Sequence, residues 1–382
     1  MKTKTPHRSR RRMTPGLDQL ESRQLLSTAA QPVHGAMPAH HHHDMRISHA
    51  AVVPRGHSSD HARPDPSSPT TSTSFSVVAQ FSNASFAATA AIADKDIWAV
   101  GTTNLDTSSD TPLAVHFDGT SWSAVPTPTL KGRNDFDGVA AVASNDVWAV
   151  GAKDISSTGS AQPLIEHWDG TSWSVVSSPK LKQGGALEAV TAISANNVWA
   201  VGLLDDVSAA LVEHWDGTSW SVVSSPAFTG IREVTDISAD SSNDIWAATS
   251  SPTVLHFDGT NWSQVHTANE PRYGFLSLAG ITALSPTNVW AVGEGKFCNG
   301  CGPVGLTDNW DGTSFNRVAN PAKGLSSVSA ISASNIWAVG SEIEHWDGTS
   351  WTTVTAPTGG GGVSTLGDGT VVFVAGNAIV EN

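Results

Sequence analysis

The chain has 382 residues, a formal charge of -14, only 15% charged residues, 34 Gly and 15 Trp, a composition that points to an all-β protein. After residue 70 it holds eleven Lys and Arg against thirty Asp and Glu, about -19, which argues against a nucleic-acid partner because such a body would repel a phosphate backbone. No apolar run approaches the roughly 18 residues of a membrane span.

Residues 1–28 open with a basic cluster at Arg8 to Arg12 but lack the apolar stretch of about 7 to 15 residues that a signal peptide requires. The segment LDQLESRQLLS follows instead. Leu20, Glu21, Arg23, Leu25, Leu26 and Ser27 resemble the "LEPR"-type N-terminal segment of surface and secreted proteins of some bacteria, with Ser22 where that pattern often has Pro. The resemblance implies export to the cell surface or beyond; without it the same residues read as a short amphipathic or disordered leader with no sorting role. Residues 29–72 are rich in Pro, Ser, Ala and His without apolar periodicity, the composition of a disordered linker. Within it His40, His41, His42 and His43 could capture Zn, Cu or Ni through neutral imidazoles, but a flexible tract fixes no geometry, and we expect no cofactor.

From residue 73 onward the chain repeats. A hairpin sequence, EHWDGTSWSVVSSP, occurs at Glu166 to Pro179 and again at Glu213 to Pro226, with edited copies at His116, His256, Asn309 and His345. Its Asp-Gly pair predicts a tight turn with positive φ angles. Ahead of each copy stands a second motif: DIWAVG at Asp96, DVWAVG at Asp146, NVWAVG at Asn197, DIWAAT at Asp244, NVWAVG at Asn288 and NIWAVG at Asn335. The intervals between the tryptophans of this motif are 50, 51, 47, 44 and 47 residues. A third apolar run precedes each motif, so every unit has four short strands, a to d. Four antiparallel strands per unit of this length make the blade of a β-propeller, with strand a along the central channel. After the sixth hairpin, GVSTLGDGTVVFVAGNAIVEN supplies a seventh a, b and c, with Phe373 expected at the tryptophan place. The missing seventh strand d is expected at Thr73 to Val78, TSFSVV, which aligns with TSWSVV. The predicted fold is therefore all-β: a seven-bladed propeller over residues 73–382, its last blade shared between the two ends. These repeats resemble kelch-like propellers and the short propeller repeats of bacterial sensor proteins. They lack the kelch double glycine after strand b, and their Asp and Gly are adjacent, unlike the Asp-box turn of sialidases.

Symmetry separates architecture from chemistry, because a residue repeated in most blades is more readily explained by packing than by one active site. The fifteen tryptophans fall in strands b, c and d and suit packing between blades. His116, His167, His214, His256 and His345 often follow a Glu, but neighbours along a strand point to opposite faces, so no acid–base pair is expected. Cys298 and Cys301, the only cysteines, lie in a CNGC loop and read as a local disulfide in an exported protein, or as idle thiols otherwise. Two ligands cannot complete a structural zinc site.

The connections d-to-a and b-to-c share one face and vary between blades. They carry most of the body's cations, among them Lys131, Arg133, Lys182, Arg232, Arg272 and Lys296, and the only tyrosine, Tyr273. These residues are the candidate ligand-binding set for an anionic glycan or an acidic protein surface; the alternative is that loops simply collect solvated charge. The expected function is a monomeric, non-catalytic propeller that binds a protein or polysaccharide at the cell surface. A structural module of the envelope is not separated from this by sequence. A glycoside hydrolase of sialidase type is the enzymatic alternative, using Tyr273 with Arg133, Arg232, Arg272 and Arg317. A copper-tyrosyl oxidase needs two tyrosines and is excluded.

Overall fold

The computed structural model describes residues 74–103, 110–154, 160–205, 209–267, 275–296 and 301–382. Each strand b is apolar on both faces, since it is sandwiched between its own sheet's neighbours and two flanking blades: Ile97, Trp98, Ala99 and Val100 are all essentially inaccessible. Strands c are also buried over most of their length, whereas strands a and d are more exposed because they form the inner and outer edges of each blade. The result is seven four-stranded antiparallel sheets, each hydrogen-bonded in the order a-b-c-d. Blade 1 comprises Ala84–Ala93, Asp96–Thr103, Thr111–Phe117 and Trp122–Val125. Strands a of blades 2 to 6 begin at Asp135, Gly185, Val234, Phe275 and Leu325. Each strand a packs against the strands a of both neighbouring blades, the seventh against the first, so the ring is closed. The hydrophobic core is accordingly divided into clusters between successive blades rather than gathered into one centre.

Blade 7 is assembled from both ends of the ring, as the sequence predicts. Val363–Thr365, Val371–Ala375 and Ala378–Glu381 provide a, b and c, and Ser76–Gln80 pairs antiparallel with Ala378–Glu381 as strand d. Phe75 anchors this strand, with edge-on contacts to Trp337 of blade 6 at 5.5 Å and to Phe373 at 5.3 Å.

Two local expectations are corrected. The c-to-d turn is a four-residue loop, because Trp215 pairs with Trp220 across Asp216 to Ser219. Only the glycine takes a positive φ, 93° at Gly217, while Asp216 anchors the loop by accepting the N–H groups of Thr218 and Ser219 at 2.8 and 2.9 Å. The Thr218 hydroxyl, together with those two N–H donors, holds the Asp216 carboxyl down at about 2. The second correction concerns Phe373. Val372 pairs with Glu381 as Trp98 pairs with His116, so Val372 stands at the tryptophan place and Phe373, one position on, turns to the opposite face toward blade 6.

Candidate functional site

The repeated polar residues form a pin inside each blade. Nε2 of His116, His167, His214, His256 and His345 donates to the Asp or Asn that opens strand b, at 2.7 to 2.9 Å. Each imidazole also lies against the strand-b indole, with ring centroids 3.9 to 4.4 Å apart. Blade 5 makes the same link with an amide, Asn309 donating to Asn288 at 2.9 Å. Burial lowers the pKa of His214 and His345, whose partners are neutral asparagines. The preceding acid of strand c diverges from the histidine, as strand alternation requires. Glu166, Glu213 and Glu344 are fully buried. Glu213 accepts from the Ser178 hydroxyl of blade 2, and Thr353 donates to Glu344 at 2.9 Å. Among the described residues neither oxygen of Glu166 has a hydrogen-bond partner, and burial pushes its carboxyl up to about 8.

Around the channel the polar side chains bridge adjacent strands a. Thr89 and Ser364 hydroxyls meet at 2.7 Å, and Ser329 and Thr365 at 2.8 Å. Asp236 of blade 4 accepts the backbone N–H of Ile281 in blade 5 at 2.9 Å. Among the described residues no three His, Cys, Asp or Glu are grouped so as to hold a metal ion.

The variable-connection face holds the predicted cations in successive connections. Lys131 and Arg133 lie between blades 1 and 2, Lys182 between 2 and 3, and Arg232 between 3 and 4, while Lys296 ends strand b of blade 5. Lys131, Lys182 and Arg232 are exposed. Arg133 is committed: its Nε donates to Asp110 at 2.8 Å and its Nη2 to the same oxygen. Acids share this face, with Asp154, Asp205, Glu233, Glu294 and Glu342 at the ends or mouths of the same strands. It therefore presents mixed rather than purely positive charge. Arg272, Tyr273, Cys298 and the His40 to His43 tract lie outside the described residues. Cys301 is described and is disulfide-bonded.

A feature that sequence reasoning missed lies at the outer seam between blades 7 and 1. A groove of about 510 Å³ is lined there by Val78, Gln80, Phe81, Phe117, Trp122 and Glu381, among others. The signal was in the sequence, since VVFVAG and AIVEN lack the tryptophan and the histidine of the other units. Assigning Phe373 to the tryptophan place concealed it.

No protein-family model and no curated protein matches the sequence. Solved structures do resemble it: YCF48 bound to D1 peptide (TM-score 0.57, 14% identity, 83% of this chain and 96% of that one). The WD40 β-propeller domain of Doa1 is similar at TM-score 0.58 and 13% identity over 81% and 96% of the two chains. Streptogramin B lyase reaches TM-score 0.60 at 12% identity over 80% and 96%. At these identities the likeness establishes a propeller and nothing finer.

Proposed function

We propose that this chain is an exported, monomeric, non-catalytic propeller that binds a protein or polysaccharide at the cell surface through its variable-connection face. In this reading residues 1–28 are an export leader, 29–72 a linker and 73–382 the binding domain, with kelch-like kinship. The observation that carries it is the distribution of unshared side chains. The turn face repeats one hydrogen-bonded loop and the interior repeats one pin, whereas exposed, unrepeated cations occur where the connections differ. The candidate set is Lys131, Lys182, Arg232 and Lys296, with Arg272 and Tyr273 from the connection that precedes strand a of blade 5 and Arg133 as a residue already held by Asp110. A disulfide at Cys301 suits an oxidising compartment. YCF48, one of the similar propellers, is bound to a peptide, which favours a protein partner over a glycan.

The hydrolase reading is weaker. Of its four arginines, Arg133 is neutralised by Asp110 and Arg317 by the buried Asp308, with Nε to Oδ1 at 2.5 Å. Neither is available to clamp a substrate carboxylate. The test is capture of cell-surface proteins and a glycan array with wild type and with Lys131, Lys182 and Arg232 changed to Ala together. We expect the triple variant to lose at least about tenfold in affinity with an unchanged melting temperature. Undiminished binding by the triple variant overturns the face assignment.

A further inference from the structure

Six of the seven junctions between blades are built on an indole. Trp98 of blade 1 meets Trp168 and Trp173 of blade 2 at 5.2 and 5.3 Å, Trp148 meets Trp215 and Trp220 at 5.1 and 5.5 Å, and the series continues to Trp290 with Trp346 and Trp351 at 4.9 and 5.5 Å. At the sixth, Trp337 meets Phe75. In each case the histidine or asparagine of the same blade braces the link. At the seventh junction, from blade 7 to blade 1, the register puts Val372 where the indole belongs and Glu381 where the histidine belongs. The receiving aromatics of blade 1 are nevertheless present. Phe117 and Trp122 meet in a tilted contact at 5.5 Å, and Trp122 is partly exposed, whereas Trp173, Trp220, Phe315 and Trp351 in its place are only 5% exposed. Val372 itself is fully covered, and the groove of about 510 Å³ described above opens beside it, lined by Phe81, Phe117, Trp122 and Glu381.

Chemistry at the groove selects its occupant. Phe81, Phe117 and Trp122 supply ring faces and edges, suited to another aromatic ring in offset or edge-on geometry. Glu381 lines the same groove, and no hydrogen bond reaches its carboxyl among the described residues. Burial, and Asp368 nearby, raise its pKa, as happens to a carboxylate without a compensating cation. The surrounding body is strongly acidic. We propose that this seam is a docking site for a protein partner's side-chain pair, an aromatic ring with an adjacent Lys or Arg, the ring packing on Phe81, Phe117 and Trp122 and the cation meeting Glu381. The site stands apart from the variable-connection face and does not depend on the reading of that face.

The test is calorimetry of the full chain with acetyl-Lys-Trp-Lys amide, acetyl-Lys-Ala-Lys amide and acetyl-Glu-Trp-Glu amide. The first peptide should bind one to one, and at least about tenfold more tightly than either of the others. Glu381→Gln should bring Lys-Trp-Lys close to Glu-Trp-Glu. Val78→Arg, at a position 42% exposed that lines the groove, places a bulky cation there and should abolish binding with an unaltered melt. Changing Lys131, Lys182 and Arg232 to Ala should leave the affinity unchanged, which separates this site from the loop face. Equal binding of Lys-Trp-Lys and Lys-Ala-Lys, absence of binding, or undiminished binding to Val78→Arg overturns the proposal.

Discussion

Glu166→Gln should make the protein more stable at pH 8 than the wild type relative to their difference at pH 5. Glu166 is fully inaccessible, neither of its oxygens has a partner among the described residues, and burial, which penalises the charge, pushes its carboxyl up to about 8 from 4.5. The folded state therefore holds the proton more tightly than the unfolded state. The stabilising contribution of the neutral acid is complete below about pH 4.5 and is lost as pH rises through 8. The interval corresponds to on the order of 4 kcal/mol at pH 8, or about 8 °C for a domain of this size. Gln is neutral throughout and nearly isosteric. Its amide adds a desolvation cost, but that cost does not vary with pH and cancels in the comparison. The assay is scanning calorimetry of both proteins at half-unit steps from pH 5 to 8.5. Wild-type melting temperature should fall relative to Glu166→Gln across that window. Parallel curves would refute the claim that Glu166 is an uncompensated buried acid.

Other consequences are simpler to check. Phe75→Ala should lose about 3 kcal/mol, as large-to-small changes at buried aromatics do, because Phe75 touches both Trp337 and Phe373; deleting residues 74–80 should lower the melt further by opening the seventh blade, and an unchanged melt would contradict the closure. Gly202→Ala should cost at least about 2 kcal/mol in a denaturant titration, since a Cβ there would stand 2.1 Å from the Ala186 carbonyl oxygen. His214 and His345 titrate below the usual histidine value, so their contribution is present above about pH 6.5 and is lost as pH falls; with Glu166 acting in the opposite sense, the melting temperature should peak between about pH 5 and 7.

The architecture was legible because each unit states it several times. DIWAVG and its copies fix strand b, the aromatic runs around Asp-Gly fix c and d, and the partial repeat at each end of residues 73–382 identifies the shared blade. What repetition could not give was the offset within a degenerate copy. In VVFVAG the only aromatic is Phe373, and aligning by residue type places it under the tryptophans. Pairing geometry instead sets Val372 opposite Glu381 and turns Phe373 around, because side chains alternate faces and a slip of one residue reverses them. The turn was legible in part: the Asp-Gly pair predicts positive φ, which the glycine takes, but the following Thr and Ser supply donors that the aspartate collects, so the loop spans four residues and the aspartate does not share that conformation. The loop face was legible only as a list of cations. Its acids were in the same sequence, yet the pairing of Arg133 with Asp110 joins residues from two different connections and needs the fold to be seen.

Symmetry therefore carries information in two directions. Where a residue recurs, as His116, His167, His214, His256 and His345 do, its partners recur too, and its hydrogen-bonding capacity is consumed within the blade. Where the pattern lapses, two cases must be told apart. At Asn309 the lapse is compensated, since the amide restores the link to Asn288. At Val372 and Glu381 it is not: the indole and the imidazole are both missing, while Phe117 and Trp122, the counterparts of the aromatics that receive an indole at other junctions, are retained across the seam. A junction that existed only to hold the ring shut would gain by burying Trp122 as its counterparts are buried. Leaving it open forgoes that packing at the one blade whose strands come from distant parts of the chain. An uncompensated lapse at such a cost is the expected mark of a surface shaped for something outside the ring.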